Sequence, residues 1–244
     1  MKKFGLIGTP LKHSFSQEYF KNKFEEENIL NSEYNNYEID KVSGVRALIK
    51  KEKNLCGLNV TIPYKEQVIP YLDNTESIAK QIGSVNVINK ENKKLIGYNT
   101  DYVAFMYSLK LWLPNLEFSS VVLGTGGSSK AIKYALKELN IPSLFVSRTP
   151  TSSELSYDEL LKGDIIKNNK LIINTTPVGM FPNINYHPSF NFKFLSEEHY
   201  VYDLIYNPEI TLFLKLSKDN GSKIKNGYDM LVKQAELSWK IWNK

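Results

Sequence analysis

A glycine turn between a buried strand and an amphipathic helix constrains the fold of this chain more than any other stretch. Residues 121–123 are apolar, residues 124–127 read Gly-Thr-Gly-Gly, and residues 130–139 carry apolar side chains at helical spacing. Two further strands, at residues 144–146 and 171–173, follow at the intervals of strand–helix–strand units. Such units build a parallel sheet, so this half of the chain is predicted to be an α/β domain.

The same turn is a candidate dinucleotide site. Glycines at 124, 126 and 127 free backbone N–H groups at the start of a helix, where a pyrophosphate can bind. A tight strand–helix turn needs glycine for conformational reasons alone, and this is the alternative reading. The two strands that follow in the expected order favour the dinucleotide site.

The end of the second strand of this half indicates which dinucleotide is bound. An NAD site usually has an acid there for the ribose 2′-hydroxyl, whereas this chain has Ser147, Arg148 and Thr149, and no acid before Glu154. A guanidinium and two hydroxyls match a 2′-phosphate, which an acid would repel. We therefore predict NADP as the cofactor; the alternative is an exposed arginine in a turn.

The first third of the chain also alternates strands and helices, which is typical of an α/β sheet with parallel connections. We predict, in chain order, a strand at 4–8, a helix from about Ser14, a strand at 34–39, a helix at 42–50, a strand at Leu55–Val60, a hairpin of 85–89 and Lys94–Tyr98, and a helix at 101–111. Later, we predict a strand at Tyr200–Asp203 and a closing helix at 227–242. There is no low-complexity linker, so helices are expected to join the two halves.

The stretch from Asn59 to Lys65 is a candidate substrate site. Pro63 stops the preceding strand, and Asn59, Thr61 and Lys65 are then held together near the end of a rigid element. Most lysines after a strand are only solvated, so this pattern alone does not assign a function.

Other positions carry side chains suited to a ligand. Ser14 and Ser16 lie at a predicted helix start that suits a carboxylate, although Ser14 with Gln17 also matches a capping box. Asp101 is placed to pair with Lys65, although Asp at such a junction commonly caps the following helix. Asn86 adds an amide from a neighbouring strand edge.

Composition excludes several classes of function. The 244 residues are 42% hydrophobic and 23% charged, as in an ordinary globular protein, and the net charge of +5 gives no case for nucleic acid. The single cysteine, Cys56, excludes an intrachain disulfide, and His13, His187 and His199 have no metal-ligand spacing, so no metal is expected. The absence of an apolar stretch long enough for a signal peptide or a membrane span predicts a cytoplasmic protein without membrane contact.

Six ordered motifs resemble those of the shikimate dehydrogenase family and extend over nearly the whole chain. They are Ser14-x-Ser16 after Gly8-x-Pro10, Asn59-x-Thr61-x-Pro63-x-Lys65, Gly97-x-Asn99-Thr100-Asp101, Asn174-Thr175-Thr176-Pro177-x-Gly179-Met180, Asp203-x-x-Tyr206-x-Pro208-x-x-Thr211 and Asn226-Gly227-x-x-Met230-Leu231-x-x-Gln234. The resemblance implies a two-domain α/β fold. Residues 1–101 are then a substrate-binding catalytic domain with a mostly parallel sheet, 102–225 an NADP-binding Rossmann domain, and 226–244 a C-terminal helix that returns to the first domain.

The resemblance also implies an activity, the reversible NADPH-dependent reduction of 3-dehydroshikimate to shikimate in chorismate and aromatic amino acid biosynthesis. Lys65 is then the proton donor and acceptor, with Asp101 holding it in register with the substrate. The implied substrate site consists of Ser14, Ser16, Asn59, Thr61, Lys65, Asn86, Asp101, Tyr206 and Gln234. The implied cofactor site consists of Gly124, Thr125, Gly126, Gly127, Ser128, Ser147, Arg148, Thr149, Thr175, Leu204 and Gly227. The expected partner is the small-molecule substrate, and both a monomer and a homodimer remain open.

The chain departs from the family pattern in places. Ser84 and Val87 stand where the family has Ala and Thr, and Ser128-Ser129-Lys130 follows the glycines in place of Ala-x-Arg. These changes concern cofactor affinity and details of substrate contacts.

Two alternatives to the implied function remain: a broader quinate/shikimate dehydrogenase, and a catalytically silent ligand-binding paralogue. The intact Lys65 and Asp101 argue against the second.

Overall fold

The computed structural model describes residues 1–11 and 14–244, so the predictions that involve Lys12 and His13 lie outside the described residues. The chain divides into two compact units: unit 1 contains residues 1–100 and 235–244, and unit 2 contains residues 101–234. The functional domains predicted over residues 1–101, 102–225 and 226–244 stay a prediction.

Unit 1 is built on a six-stranded mixed sheet with strand order β2-β1-β3-β5-β6-β4. Its strands are Lys2–Gly8 (β1), Ser32–Glu38 (β2), Leu55–Val60 (β3), Asn74–Thr75 (β4), Val87–Glu91 (β5) and Lys94–Tyr98 (β6). β1 is parallel to β2 and β3, and β4 is parallel to β6, whereas β5 is antiparallel to both of its neighbours. The helices are Phe15–Glu26 (α1), Val45–Lys51 (α2), Tyr64–Gln67 (α3) and Ser77–Ile82 (α4).

Unit 2 is built on a six-stranded sheet in which all pairs are parallel, with strand order β12-β11-β10-β7-β8-β9. Its strands are Ser120–Leu123 (β7), Ser143–Ser147 (β8), Leu155–Ser156 (β9), Leu171–Asn174 (β10), Tyr200–Asp203 (β11) and Lys223–Lys225 (β12). Its helices are Asp101–Trp112 (α5), Gly127–Glu138 (α6), Tyr157–Leu161 (α7), Asp164–Asn168 (α8) and Leu212–Asp219 (α9). The order reverses at β7, and in doubly wound sheets ligands bind beyond the carboxyl ends of the strands at this point.

The last helix, Tyr228–Trp242 (α10), begins in unit 2 and ends in unit 1. In unit 1 the ring of Phe4 lies 5.2 Å from that of Trp239 and 5.0 Å from that of Trp242. The Trp242 indole N–H donates to the Ile88 carbonyl at 3.1 Å, and a β-carbon at Gly57 would lie only 2.2 Å from that nitrogen. The end of α10 is therefore part of the core of unit 1, which confirms the predicted return of the C-terminal helix.

The predicted elements are all present, with some corrections to their bounds. α6 begins at Gly127, not at residue 130, so the glycine turn itself contains the first helical residue. β5 begins at Val87 and ends at Glu91, and the hairpin turn is reduced to Asn92 and Lys93 at φ 49° and 68°, as in a two-residue hairpin. A 3₁₀ turn at Val42–Gly44 precedes α2, and further 3₁₀ turns lie at Ile69–Tyr71 and Phe192–Phe194.

Among the described residues, no helix combines the length and apolar character that crossing a membrane requires.

Candidate active site

Backbone hydrogen bonds fix the segment that follows β3. The Thr61 N–H donates to the Ile7 carbonyl, and the Tyr64 N–H donates to the Thr61 carbonyl, both at 2.9 Å. Lys65 lies in the single-turn helix α3, and its carbonyl accepts from the Val85 N–H at 2.8 Å. Lys65 is therefore carried by a short helix that is hydrogen-bonded to the segment leading into β5.

Asn59 lies inside a buried hydrogen-bond network, which we call the Asn59 network: Ser16, Tyr34, Asn59, Asn86 and Ser238. The Tyr34 hydroxyl donates to Asn59 Oδ1 at 2.8 Å, and Asn59 Nδ2 donates to Ser238 Oγ at 2.9 Å and to the Asn86 carbonyl at 3.3 Å. Ser16 hydrogen-bonds to the Tyr34 hydroxyl, whose pKa is raised above its usual range by burial. Sequence reasoning missed Tyr34 and Ser238, since neither belongs to a recognisable motif.

The Asn86 side chain is fixed by the segment before α5. Asn86 Nδ2 donates to Thr100 Oγ1 at 2.9 Å, and the Thr100 N–H donates to Asn86 Oδ1 at 2.7 Å. Asn99 Nδ2 donates to the Ser84 carbonyl at 2.8 Å. These bonds hold together the two strand-edge motifs of unit 1 that the sequence singled out.

The start of α1 does not form the capping box that Ser14 and Gln17 allow. Ser14 is the N-cap residue, but its side chain makes no capping hydrogen bond. Gln17 Oε1 instead accepts from Asn36 Nδ2 at 3.0 Å. The Ser14 hydroxyl is buried and has no hydrogen-bond partner among the described residues. A buried hydroxyl without a partner costs free energy, so a ligand oxygen at this position would be stabilising.

In unit 2, the glycine turn leads from β7 into α6. Gly124 has φ +105°, and a β-carbon there would lie 2.8 Å from Thr175 Oγ1, so glycine is required on both counts. The Ser129 hydroxyl donates to the Gly124 carbonyl at 2.6 Å; Thr125 lies between the first two glycines, and Ser128 follows the last. The first N–H groups of an α-helix lack intrahelical partners, so this end of α6 suits an anion.

The residues predicted to select NADP lie at the end of β8. Ser147 is buried, its Oγ lies 3.4 Å from Thr125 Oγ1 and accepts from the Thr149 N–H at 3.3 Å, while Arg148 is exposed. The first acid beyond them, Glu154, accepts from the Thr151 N–H at 3.0 Å within its own loop. The end of β8 thus presents a cation and hydroxyls, which is the chemistry that a 2′-phosphate needs.

A buried carboxyl group connects the ends of β10 and β11. Asp203 accepts from Asn174 Nδ2 at 3.0 Å, from the Ile205 N–H at 3.1 Å and from the Thr211 hydroxyl at 2.7 Å. Burial raises the pKa of Asp203 to about 7, although these three donors oppose the shift. Asp203 thereby holds the loops that carry the remaining predicted cofactor residues.

Those remaining residues are Thr175, Leu204 and Gly227. The Thr175 hydroxyl donates to the Leu123 carbonyl at 2.7 Å, and the Leu204 N–H donates to the Asn174 carbonyl at 3.0 Å. A β-carbon at Gly227 would lie 2.0 Å from the Leu204 carbonyl oxygen, so only glycine allows this approach. The three residues are therefore brought together in unit 2.

Lys65 belongs to unit 1, and the other residues predicted to act with it, Asp101, Tyr206 and Gln234, belong to unit 2. Asp101 is buried and is the first residue of α5; Tyr206 is half-buried, and Gln234 Nε2 donates to the Leu231 carbonyl at 2.9 Å. The pairing of Lys65 with Asp101 stays a prediction.

The described residues contain no group of three or more His, Cys, Asp or Glu side chains arranged to hold a metal ion. His199 Nδ1 accepts from the Ser196 N–H and its Nε2 donates to the Ile166 carbonyl, both at 3.0 Å. Burial lowers the pKa of His199, so it is a neutral structural histidine with both ring nitrogens in use.

Comparison with known proteins gives a consistent result. The family model described as "Shikimate dehydrogenase substrate binding domain" matches residues 6–88. A "Shikimate dehydrogenase (NADP(+))" of Clostridium botulinum is 38% identical over 247 residues, which cover 98% of this chain and 95% of the relative.

Solved structures agree along the whole chain. Shikimate dehydrogenase 1 of Peptoclostridium difficile has a TM-score of 0.86 at 38% identity, covering 100% of this chain and 92% of that one. The Thermus thermophilus enzyme, solved in complex with NADP(H) and shikimate, has a TM-score of 0.87 at 27% identity, covering 99% of this chain and 93% of that one. Near-complete coverage at these identities places this chain within the shikimate dehydrogenase family.

Proposed function

We propose that this chain is an NADP-dependent shikimate dehydrogenase, which reversibly reduces 3-dehydroshikimate to shikimate in chorismate and aromatic amino acid biosynthesis. The observation that carries the proposal is its similarity, along almost the whole length of both chains, to dehydrogenases of that name. The cation and hydroxyls at the end of β8, in place of an acid, support the choice of NADP.

The residues of unit 2 fit this cofactor. Gly124, Thr125, Gly126, Gly127 and Ser128 would hold the pyrophosphate at the start of α6, and Ser147, Arg148 and Thr149 would hold the 2′-phosphate. Thr175, Leu204 and Gly227 would line the rest of the site. When bound, NADPH supplies the hydride. The role of this unit is therefore to bind and orient the cofactor.

Residues of unit 1 fit the substrate. The Ser14 hydroxyl, buried and without a partner among the described residues, supports a role as hydrogen-bond donor to the carboxylate, with Ser16 as the second donor. Thr61 and Asn86 of unit 1, together with Tyr206 and Gln234 of unit 2, would surround the ring and its hydroxyls. Because the carboxylate and the ring hydroxyls other than the one at C3 do not react, contacts with them contribute to binding in both directions of the reaction.

Lys65 would move the proton. During reduction its ammonium donates a proton to the oxygen that develops at the 3-keto group, and during oxidation the neutral amine accepts it. Asp101 would keep Lys65 and the substrate hydroxyls in register. The tie between the Lys65 carbonyl and the Val85 N–H supports this role, since it fixes the helical turn that carries the lysine.

The same proposal assigns functions to the domains. Residues 1–101 bind the substrate, residues 102–225 bind NADP, and residues 226–244 form the helix that returns to the first domain. It also includes a cytoplasmic location and either a monomeric or a homodimeric state.

A rate comparison tests the proposed function. Purified protein is mixed with shikimate or quinate and with NADP or NAD, and reduction of the cofactor is followed by absorbance. We expect the highest kcat/KM for shikimate with NADP. A higher kcat/KM for quinate would indicate the broader quinate/shikimate enzyme. Shikimate binding by calorimetry without any cofactor reduction would indicate a silent paralogue and would refute the dehydrogenase assignment.

A further inference from the structure

The Asn59 side chain uses nearly all of its hydrogen-bonding capacity inside unit 1. Both Nδ2 hydrogens are directed to partners, Ser238 Oγ and the Asn86 carbonyl, and Oδ1 accepts from Tyr34. Only 4% of Asn59 is exposed. A primary amide has two donor hydrogens and an oxygen with two lone pairs. Asn59 therefore has no free donor for a substrate, and only the second lone pair of Oδ1 is left, on a side chain that is almost fully buried.

The direction of these hydrogen bonds is determined by the Asn86 carbonyl. A carbonyl oxygen can only accept, and this one also accepts from the Val60 N–H at 2.8 Å. Asn59 must therefore turn Nδ2 toward Asn86, which leaves Oδ1 facing Tyr34. The Tyr34 hydroxyl then has to donate to Asn59, and Ser16 has to donate to Tyr34.

We propose that Tyr34 and Ser238 are positioning residues for substrate binding, and that Asn59 acts through Asn86 and Ser16 without touching the substrate. The inference rests on the proposed function, since Ser16 and Asn86 are two of the proposed substrate contacts. Tyr34 is itself held in place, because its ring stacks on Phe20 with centroids 4.4 Å apart. Its hydroxyl can thus set the Asn59 amide without moving.

The Asn59 network connects the two proposed substrate contacts, Ser16 and Asn86, which lie on different elements of unit 1. Ser16 lies on α1, and Asn86 lies directly before β5, where its side chain also bonds with Thr100. Ser238, on the part of α10 that belongs to unit 1, accepts the second Nδ2 hydrogen of Asn59. A buried amide bonded on three sides has one stable orientation, so Asn86 is presented in one geometry.

The test compares Tyr34→Phe and Ser238→Ala with the wild-type protein. Each variant removes one hydroxyl and keeps the rest of the side chain, so the KM for shikimate should rise roughly tenfold, the effect of one lost buried hydrogen bond. The kcat, its pH profile and the KM for NADP should change by less than about twofold, because the network acts on binding contacts that are alike in ground and transition states. Tyr19→Phe, which removes a hydroxyl bonded to Glu236, is the matched control and should leave the KM for shikimate unchanged.

A double-mutant cycle tests whether Tyr34 and Asn59 act on the substrate contacts through one network. If they do, the combined effect of Tyr34→Phe and Asn59→Ala on the KM should be clearly smaller than the sum of the two single effects, expressed as free energies. Additive effects, or an unchanged KM in Tyr34→Phe and Ser238→Ala, would overturn the inference.

The same double-mutant cycle of Tyr34 and Asn59 can be measured by urea unfolding, which does not require the protein to be active. Coupling of Tyr34 and Asn59 in the free energy of unfolding should persist even if the wild-type protein fails to oxidise shikimate. That result would refute the proposed function and leave the network intact, whereas zero coupling would overturn the network itself.

Discussion

Asp203 makes the stability of this protein depend on pH in a direction opposite to that of most carboxylates. Its side chain is fully buried, with three hydrogen-bond donors and no cation among its hydrogen-bond partners in the described residues. Burial raises its pKa from 3.8 to about 7. Asp203→Asn replaces the protonated acid by a neutral group of the same shape, whose Oδ1 can accept from Asn174 and Ile205 and whose Nδ2 can donate to Thr211.

Proton linkage gives the size and the sign of the effect of Asp203 on the free energy of unfolding. A shift of about three pKa units corresponds to roughly 4 kcal/mol. Between about pH 4 and pH 7 the folded state holds this proton while the unfolded chain has released it, so the free energy of unfolding falls as pH rises through that window. Below about pH 4 the group is neutral in both states, and the penalty is absent; above about pH 7 it is complete.

The measurement is urea unfolding of the wild type and Asp203→Asn at several pH values between about 4 and 8. The difference in the free energy of unfolding should move in favour of the variant by roughly 4 kcal/mol across the window and then level off. Asp219→Asn, at the exposed end of α9, is the matched control and should give a flat difference. Thr211→Val, which removes a donor to the carboxylate, should extend the window to higher pH. Parallel curves for the wild type and Asp203→Asn would refute the reasoning.

Three further predictions concern catalysis, cofactor choice and packing. Lys65→Ala should lower kcat by roughly 10²–10⁴-fold in the shikimate assay with little change in the KM for shikimate. The control Lys80→Ala, on an exposed face of α4, should leave both kcat and KM unchanged. Normal turnover in Lys65→Ala would remove Lys65 from the mechanism. Arg148→Ala should raise the KM for NADPH by roughly tenfold or more and leave that for NADH nearly unchanged, and equal losses would show that Arg148 does not read the 2′-phosphate. Ser84→Ala should raise the free energy of unfolding by about 1–3 kcal/mol, because the buried Ser84 hydroxyl has no partner among the described residues. Ser108→Ala should lower it by about 1 kcal/mol, because that hydroxyl is bonded to Tyr202; a loss of stability in both variants would contradict this account.

Most of the fold could be predicted because its elements are coded locally. Strands that are buried on both faces are short apolar runs in the sequence, as Val121-Val122-Leu123 is in β7. The glycines that follow this run indicate the turn into helix α6. The unpredicted strands are those with weak local patterns. β12, with Lys223 and Lys225 around a single apolar residue, forms by pairing with β11 and not through its own propensity.

The contacts of the candidate site could not be predicted in the same way. Asn59 meets Tyr34 across 25 residues and Ser238 across 179, and no spacing rule connects them. The capping box at Ser14 was a local pattern that proved wrong, because tertiary contact gives Gln17 another partner, Asn36. Motifs thus predict candidate residues, while the partners that orient those residues depend on the folded chain.

The passage of α10 from unit 2 into unit 1 has a consequence for protein synthesis. Unit 2 is one continuous segment, residues 101–234, so its whole core can assemble once that segment has left the ribosome. Residues 1–100 of unit 1 are made before unit 2, yet Phe4 and Gly57 pack against Trp242, so the core of unit 1 is incomplete until residue 242 has emerged. We therefore expect unit 2 to complete its core before unit 1, the reverse of the usual order in which the N-terminal domain folds first. Until then, the incomplete first unit leaves uncovered the apolar side chains, such as Phe4, that α10 will pack against.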